Sequence, residues 1–360
     1  MSPFNAPIDL ALDPAIEAIA AGNRVMVKIS EYTPKAAALL QRLAKKYVSE
    51  TTFAVITGEA DVSAHFSALN WDKFVFTGGS ETGKKILAAA APNLTPVVLE
   101  LGGKNPAVVL PDANQQLAAE KIARGRSGNS GQICLDVDYA MVPANQLTDY
   151  IHLIVEQLEQ AFPTYSDNPE YSAIINDAAY KRITGMLAEA QQRGTQLLTI
   201  NPNHDAVPDA TKRLIPLTLA INPDPDLQIA KNEIFGPILS IFTYETLDEA
   251  IAFINTYEKS LAMYVFGKNK AQLNRVIRHT SSGGVDINEL ALHAGSHEMG
   301  FGVVGYSGMG RYKGGKVGFE TFSNPKSVYK QGILAKYTTR FMVPIHNQRN
   351  EKRFKKMLGL

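Results

Sequence analysis

Residues 76–85, Phe76-Thr77-Gly78-Gly79-Ser80-Glu81-Thr82-Gly83-Lys84-Lys85, read as a short apolar strand that runs into a glycine turn and then a helix. The same grammar extends in both directions. Strand-like apolar runs fall at 24–28, 53–56, 74–77 and 97–99, and helical periodicity fills 10–21, 34–47 and 82–91 between them, with Gly22 placed to close the first helix. This βα alternation predicts an α/β fold with a parallel sheet and helices on its faces. Ligands in such sheets bind beyond the carboxyl ends of the strands, so the residues just after each apolar run are the ones to inspect. Beyond Pro106 the pattern resumes with 107–110, a helix over 113–126, a strand near 139–142, long helices over 145–161 and 177–193, and strand runs at 238–242, 261–266 and 283–288. A second domain is expected to begin there.

Composition narrows the function. The chain has 360 residues, enough for two domains, a hydrophobic content of 45% and a formal net charge of +1. That balance gives no electrostatic case for nucleic acid. A single cysteine excludes an internal disulfide and fits a reducing compartment, no apolar run is long enough to span a bilayer, and Met1 to Asn5 lack the features of a signal peptide. A cytoplasmic location is the default. Charge gathers at one end, where residues 336–360 carry seven Lys/Arg against one acid. A solvated, partly disordered tail is expected, with membrane contact disfavoured although Phe341, Met342, Val343 and Ile345 lie alongside.

Several strand ends and loops carry chemistry-bearing residues. Cys134 sits in the small polar loop Gly128-Asn129-Ser130-Gly131-Gln132-Ile133-Cys134, a poor core segment and a natural approach path for a substrate. A thiol there is useful as thiolate, favoured by partial exposure near backbone N–H groups. Asp136 and Asp138 must point away from it to permit that. Glu100 ends an apolar run just before Gly102-Gly103, where an apolar pocket raising its pKa would make it a general base. Lys28 and Glu31 follow another strand. The Gly78 to Lys85 stretch nearly matches G-x-x-x-x-G-K-[ST], the phosphate-binding P-loop, but Lys85 stands where a hydroxyl is required for Mg²⁺. No His, Cys and carboxylate set has metal-ligand spacing.

Three motifs, Leu99-Glu100-Leu101-Gly102-Gly103-Lys104, Gly131-Gln132-Ile133-Cys134 and Glu233-Ile234-Phe235-Gly236-Pro237, resemble signatures of the aldehyde dehydrogenase superfamily in its order. Thr95-Pro96-Val97 and the Ser307 to Tyr312 run are most similar to its coniferyl aldehyde dehydrogenase branch. The resemblance implies an NAD(P)-dependent oxidation of an aldehyde, aromatic or medium-chain, to the acid through a cysteine thiohemiacetal and thioester. It implies Cys134 as nucleophile, Glu100 as activator of the hydrolytic water, and Asn5, in the turn Ser2 to Pro7, as donor to the oxyanion. Lys28 and Glu31 would hold the adenosine ribose, Gly78 and Gly83 the pyrophosphate, Glu233 the nicotinamide ribose, and Phe235 the ring. Glu31 favours NAD, with NADP left open. The implied architecture is a Rossmann-type cofactor domain over 1–105 whose N-terminal part is missing, an α/β catalytic domain over 106–310, and a return over 311–360. Lys326 to Lys330 would be a strand pairing subunits in a homodimer, and His293 would border the substrate side. The alternatives are a truncated, non-catalytic chain acting as a subunit or interaction partner, and a P-loop nucleotide-binding protein.

Overall fold

The computed structural model describes residues 1–333 and 347–360. It is an α/β protein. The first half lays down β1 (Val25–Lys28), β2 (Phe53–Ile56), β3 (Phe74–Thr77) and β4 (Val97–Glu100), separated by α1 (Asp9–Ala20), α2 (Pro34–Tyr47), α3 (Ala60–Ser67) and α4 (Ser80–Ala90). β1 and β2 pair in parallel, as do β3 and β4. Residues 1 and 2 run between these two small sheets. The Ser2 N–H donates to the Lys28 carbonyl at 3.1 Å, and the Met1 carbonyl accepts from Thr77 N–H at 3.2 Å.

The second half builds β5 (Pro106–Val109), β6 (Tyr139–Pro143), β7 (Gln196–Thr199), β8 (Thr218–Ile221), β9 (Ile238–Tyr244), β10 (Ser260–Phe266) and β11 (Ser282–Ile287). They form a seven-stranded sheet in the order β11-β10-β5-β6-β9-β8-β7, antiparallel only at the β7 edge. Its inner strands are continuous apolar runs because both faces are covered. Successive residues of β5 go to opposite sides. Ala107 and Val109 join a core with α5 (Gln115–Ser127) and α6 (Leu147–Ala161), whereas Val108 packs with the helices Leu247–Thr256 and Lys270–His279 on the other face. α7 (Asp177–Gln192) follows α6 and covers a third apolar cluster with β8 and β9. β12 (Phe301–Gly302) and β14 (Arg311–Lys313) pair antiparallel. Between them β13 (Gly308–Met309) returns to lie antiparallel on β4, Gly308 opposite Glu100.

The structure adds three features to the sequence reading. β7 and β8, short strands beside a polar loop, give no clear periodicity in the sequence. Residues 326–330 belong to no strand within the chain, and 324–360 form a separate compact unit. Within the basic tail, Gln348–Met357 is a solvent-exposed helix capped by the Asn347 side chain and braced by a Lys355–Glu351 ion pair. Residues 336, 340, 341–343 and 345 of the basic tail lie outside the described residues. No helix among the described residues is long and apolar enough to cross a membrane.

Gly308 is the one residue type that lets β13 close on β4. Its φ is +134°, and a Cβ there would lie 1.9 Å from the Leu99 carbonyl oxygen. Gly308→Ala is therefore expected to destabilise the chain by about 2–4 kcal/mol, from strained backbone and lost pairing, measured by urea unfolding. A loss under about 0.5 kcal/mol would show that the β13 contact is dispensable.

Candidate active site

The glycine turn after β3 is only Gly78-Gly79, because α4 begins at Ser80, two residues earlier than the sequence pattern indicates. Gly78 N–H donates to the Glu100 carbonyl at 3.0 Å, tying the turn to the end of β4. Gly79 caps α4 without a side-chain hydrogen bond, and a Cβ there would meet nothing within 4 Å, so the helix's first N–H groups face open space suited to a phosphate. Gly83 lies inside α4 against Leu101, where a Cβ would come within 2.9 Å of that side chain. Lys84, also in the helix, pairs with Glu81 at 2.7 Å. The geometry does not support the P-loop alternative: Ser80, Glu81 and Thr82, which would have to wrap a phosphate as loop before Gly83-Lys84, are already the first turn of α4.

The cysteine loop is the most constrained segment of the site. Asn129, Ser130 and Gly131 have φ of 47°, 53° and 70° in succession, a costly left-handed run. A Cβ at Gly131 would fall 2.3 Å from the Gly236 carbonyl oxygen, so the loop presses directly on the Glu233 to Pro237 segment. The sequence suggested an exposed approach path; instead Ser130, at 1% exposure, and Gln132, at 2%, are buried and bonded to the backbone of 172–175. Asn105, which the sequence reading assigned no role, ties the turn down. Its Nδ2 donates to the Cys134 carbonyl at 2.7 Å and the Asp136 carbonyl at 2.9 Å, and its Oδ1 accepts from Ala262 N–H at 3.0 Å. Asp136 faces Arg126 at 3.1 Å and Asp138 pairs with Lys104, so both carboxylates turn away from the sulfur as the sequence required.

Cys134 is half-buried. Burial pushes its thiol up to about 12, the nearby Glu233 and Glu100 add to this, and the Cys134 and Leu135 backbone N–H groups oppose it. The resting group is thus a neutral thiol, contrary to the expectation of a ready thiolate. Glu100 is 3% exposed and neither carboxyl oxygen has a hydrogen-bond partner. Burial holds it well above the usual carboxylate range, against the pull of Arg311. Glu233 is pushed up to about 7 by burial and by Asp138, with a Gly103 backbone hydrogen bond, Lys104 and Arg126 acting the other way. Its carboxyl fills the hollow at Gly102, where a Cβ would lie 2.2 Å from both oxygens. The three groups therefore share one electrostatic environment, with a cavity of about 160 Å³ beside it that Ser80, Gly102, Gly103, Lys104 and Glu233 help to line.

Phe4, next to Asn5, ties the N-terminal turn to the Glu233 to Pro237 segment through aromatic contacts. Phe4 lies edge-on to Phe235 with centroids 6.0 Å apart, and to Tyr32 at 6.3 Å. That brings the turn bearing Asn5 and the strand end bearing Glu31 beside Phe235, itself at φ 44°. Asn5 makes no side-chain hydrogen bond to a described residue, leaving its amide uncommitted. Lys28, buried at 1% exposure, donates to Glu31 at 2.8 Å. Partial burial would raise the Glu31 carboxyl, but that hydrogen bond and charge outweigh it and hold the group below its ordinary value. Further support comes from residues the sequence did not single out. Lys104 donates to the Ile229 and Asn232 carbonyls, Asp138 accepts from Ile234 N–H at 2.8 Å, and Arg182 donates to the Ile234 carbonyl at 2.8 Å.

Residues 1–328 match the Aldehyde dehydrogenase family. The chain belongs to that family. This aldehyde dehydrogenase is 43% identical to a probable coniferyl aldehyde dehydrogenase of Pseudomonas aeruginosa over 329 residues, 91% of this chain and 68% of that protein. It is 37% identical to a dimeric NADP-preferring aldehyde dehydrogenase of Canis lupus familiaris, covering 92% of this chain and 71% of that one. The substrate-bound state of a Staphylococcus aureus AldH superposes with a TM-score of 0.84 at 36% identity, over 95% of this chain and 76% of that chain. The family's enzymes are NAD(P)-dependent, and oxidation of aldehydes is the activity the likeness carries.

The buried Lys104–Asp138 pair is the joint between this dehydrogenase's cysteine loop and its Glu233 loop. Asp138→Ala leaves a buried ammonium uncompensated and is expected to cost about 3–5 kcal/mol in urea unfolding. Joint replacement by Lys104→Met and Asp138→Leu should recover much of that loss, and equal losses from single and double variants would contradict the pairing.

Proposed function

We propose that this chain oxidises an aldehyde, aromatic such as coniferyl aldehyde or medium-chain, to the carboxylic acid, with Cys134 as nucleophile, Glu100 as base and Asn5 as oxyanion donor. The observation that carries the proposal is Glu100: a buried carboxyl with two unpartnered oxygens, close enough to Cys134 to shift its titration. A group in that state accepts a proton readily once ionised. Glu100 takes the thiol proton, the sulfur adds to the aldehyde carbon, and the developing oxyanion is met by the Cys134 backbone N–H and the Asn5 amide. A nicotinamide dinucleotide, when bound, supplies the hydride acceptor. Its fit rests on the uncapped α4 N-terminus at Gly79, on the Lys28–Glu31 pair at the end of β1, and on Glu233 and Phe235. Once Glu100 has released the thiol proton to solvent, it deprotonates a water that adds to the thioester carbon, and the C–S bond breaks to give the acid and return the Cys134 sulfur.

Glu31 favours NAD, since a carboxylate held ionised accepts from a ribose hydroxyl and repels a 2′-phosphate. The dimeric relative supports a homodimer, and the P. aeruginosa relative supports a phenylpropenal substrate. The alternative of a non-catalytic subunit is favoured by no observation in the site.

Cys134→Ala is expected to abolish NADH formation from coniferyl aldehyde and NAD at unchanged melting temperature; turnover equal to the native chain would end the assignment. Glu100→Gln should leave little steady turnover. In the native chain turnover should fall as pH drops, beginning above the ordinary carboxylate range, because burial raises Glu100 and the protonated form cannot act as base. A flat profile between about pH 5 and 8 would remove Glu100 from that role.

A further inference from the structure

Tyr264 of β10 and Asp286 of β11 are register partners, so their side chains leave the sheet on the same face. Tyr264 packs there with α5, the helix that leads into the cysteine loop. Gly284 precedes Asp286 by one pleat on that face, and the His293 ring fills its hollow: a Cβ at 284 would lie 2.3 Å from the ring's Cδ2. Asp286 accepts twice from His293, from the backbone N–H at 3.0 Å and from Nδ1 at 2.7 Å. The ring stacks on Phe301 with centroids 6.0 Å apart, and its buried Nε2 has no partner. Both side chains of the pair are 9% exposed.

Tyr264 connects this pair to the sulfur. Its hydroxyl donates to the carbonyl of Leu135, the residue after the cysteine, and the Ala291 backbone N–H faces the Tyr264 phenol oxygen. Ala291 stands two residues before His293 with φ 58°, and Asn288 has φ 56°, so the connecting loop adopts strained backbone at non-glycine positions. Side chains hold it there: Asn288 exchanges hydrogen bonds with Gly267 at 2.8 and 2.9 Å, and Glu289 binds Lys121 of α5 at 2.7 Å.

We propose that Asp286 and His293 are positioning residues for the nucleophile: by fastening the 288–293 loop to β11 they hold the Tyr264 hydroxyl against the Leu135 carbonyl, and so set the Cys134 backbone. The proposal rests on Cys134 being the nucleophile. None of the three side chains is placed in contact with substrate, and each acts through the next. Asn105 fixes the other side of the same turn, so the cysteine is held from both flanks, by an amide from β5's end and a phenol from β10.

The test uses the full chain with Tyr264→Phe, Asp286→Ala and Asp286→Asn. It reads the rate of Cys134 alkylation by iodoacetamide without aldehyde, then kcat, KM for NAD and melting temperature. Tyr264→Phe and Asp286→Ala are expected to change the alkylation rate and lower kcat together by about ten-fold, as small misplacements of a reacting group do, with KM for NAD unchanged. Asp286→Asn, which keeps an acceptor for the His293 N–H, should lose less. Folded variants with alkylation and kcat within about two-fold of the native chain would overturn the proposal. A native chain that forms no NADH would instead overturn the proposed function, and the alkylation rates would still decide whether the pair positions the sulfur.

Discussion

One amide side chain holds the reactive part of this protein together. Asn105 stands where the Leu99 to Lys104 motif passes into β5, and it spends both donors on the carbonyls of Cys134 and Asp136 and an acceptor lone pair on Ala262 of β10. Three segments distant in sequence are thereby fixed at the end of one sheet. A buried amide with all these partners in place costs little, whereas any apolar replacement would strand two carbonyls and an N–H in the interior. The strained run from Asn129 to Gly131 can persist because its far end is held this way.

Around that amide the charged residues are arranged for direction more than for stability. Asp136 and Asp138 follow the cysteine closely and would each raise its pKa further if they faced it. Arg126 and Lys104 draw them away, and Asp138 uses its second oxygen to hold Ile234 N–H, so the pairing also sets where Glu233 projects. A buried ion pair is weak evidence for stability. Here its consequence is geometric: the carboxylates that raise the pKa of the sulfur are Glu233 and Glu100, not the two aspartates that follow it. Glu100 is buried and Glu233 half-buried, and both are pushed above the ordinary carboxylate range.

Much of this was legible in the sequence because strand ends are where an α/β sheet presents its chemistry. The βα alternation located β1 to β4 nearly to the residue, and the motifs at 99–104, 131–134 and 233–237 named groups that the fold does gather. What the sequence withheld was the state of those groups. A loop of Gly, Asn, Ser and Gln looked like an exposed path, yet Ser130 and Gln132 find backbone partners in 172–175 that no local pattern announces. The contacts of Asn105, Lys104 and Arg182 are likewise long-range, and nothing in Lys-Asn-Pro distinguishes a structural amide from a solvated one. β7 and β8 were missed because four-residue strands beside a polar loop carry too little periodicity.

The half-buried thiol and the unpartnered Glu100 belong to one physical arrangement. A sulfur that titrates near 12 is almost wholly protonated at neutral pH, so the site cannot rely on a standing thiolate. A carboxylate stripped of hydrogen bonds in the same environment is a strong proton acceptor for the same reason that it is an unstable anion. Moving the proton from sulfur to Glu100 replaces one poorly solvated anion by another, and the Cys134 and Leu135 N–H groups favour the sulfur's side of the exchange. On the proposed assignment, an aldehyde carbon that bonds to the sulfur consumes the thiolate and so draws the proton transfer to Glu100 forward. Both Glu100 oxygens are buried and unpartnered at the end of β4, so no hydrogen bond within the described residues offsets the charge of the carboxylate and lowers its basicity.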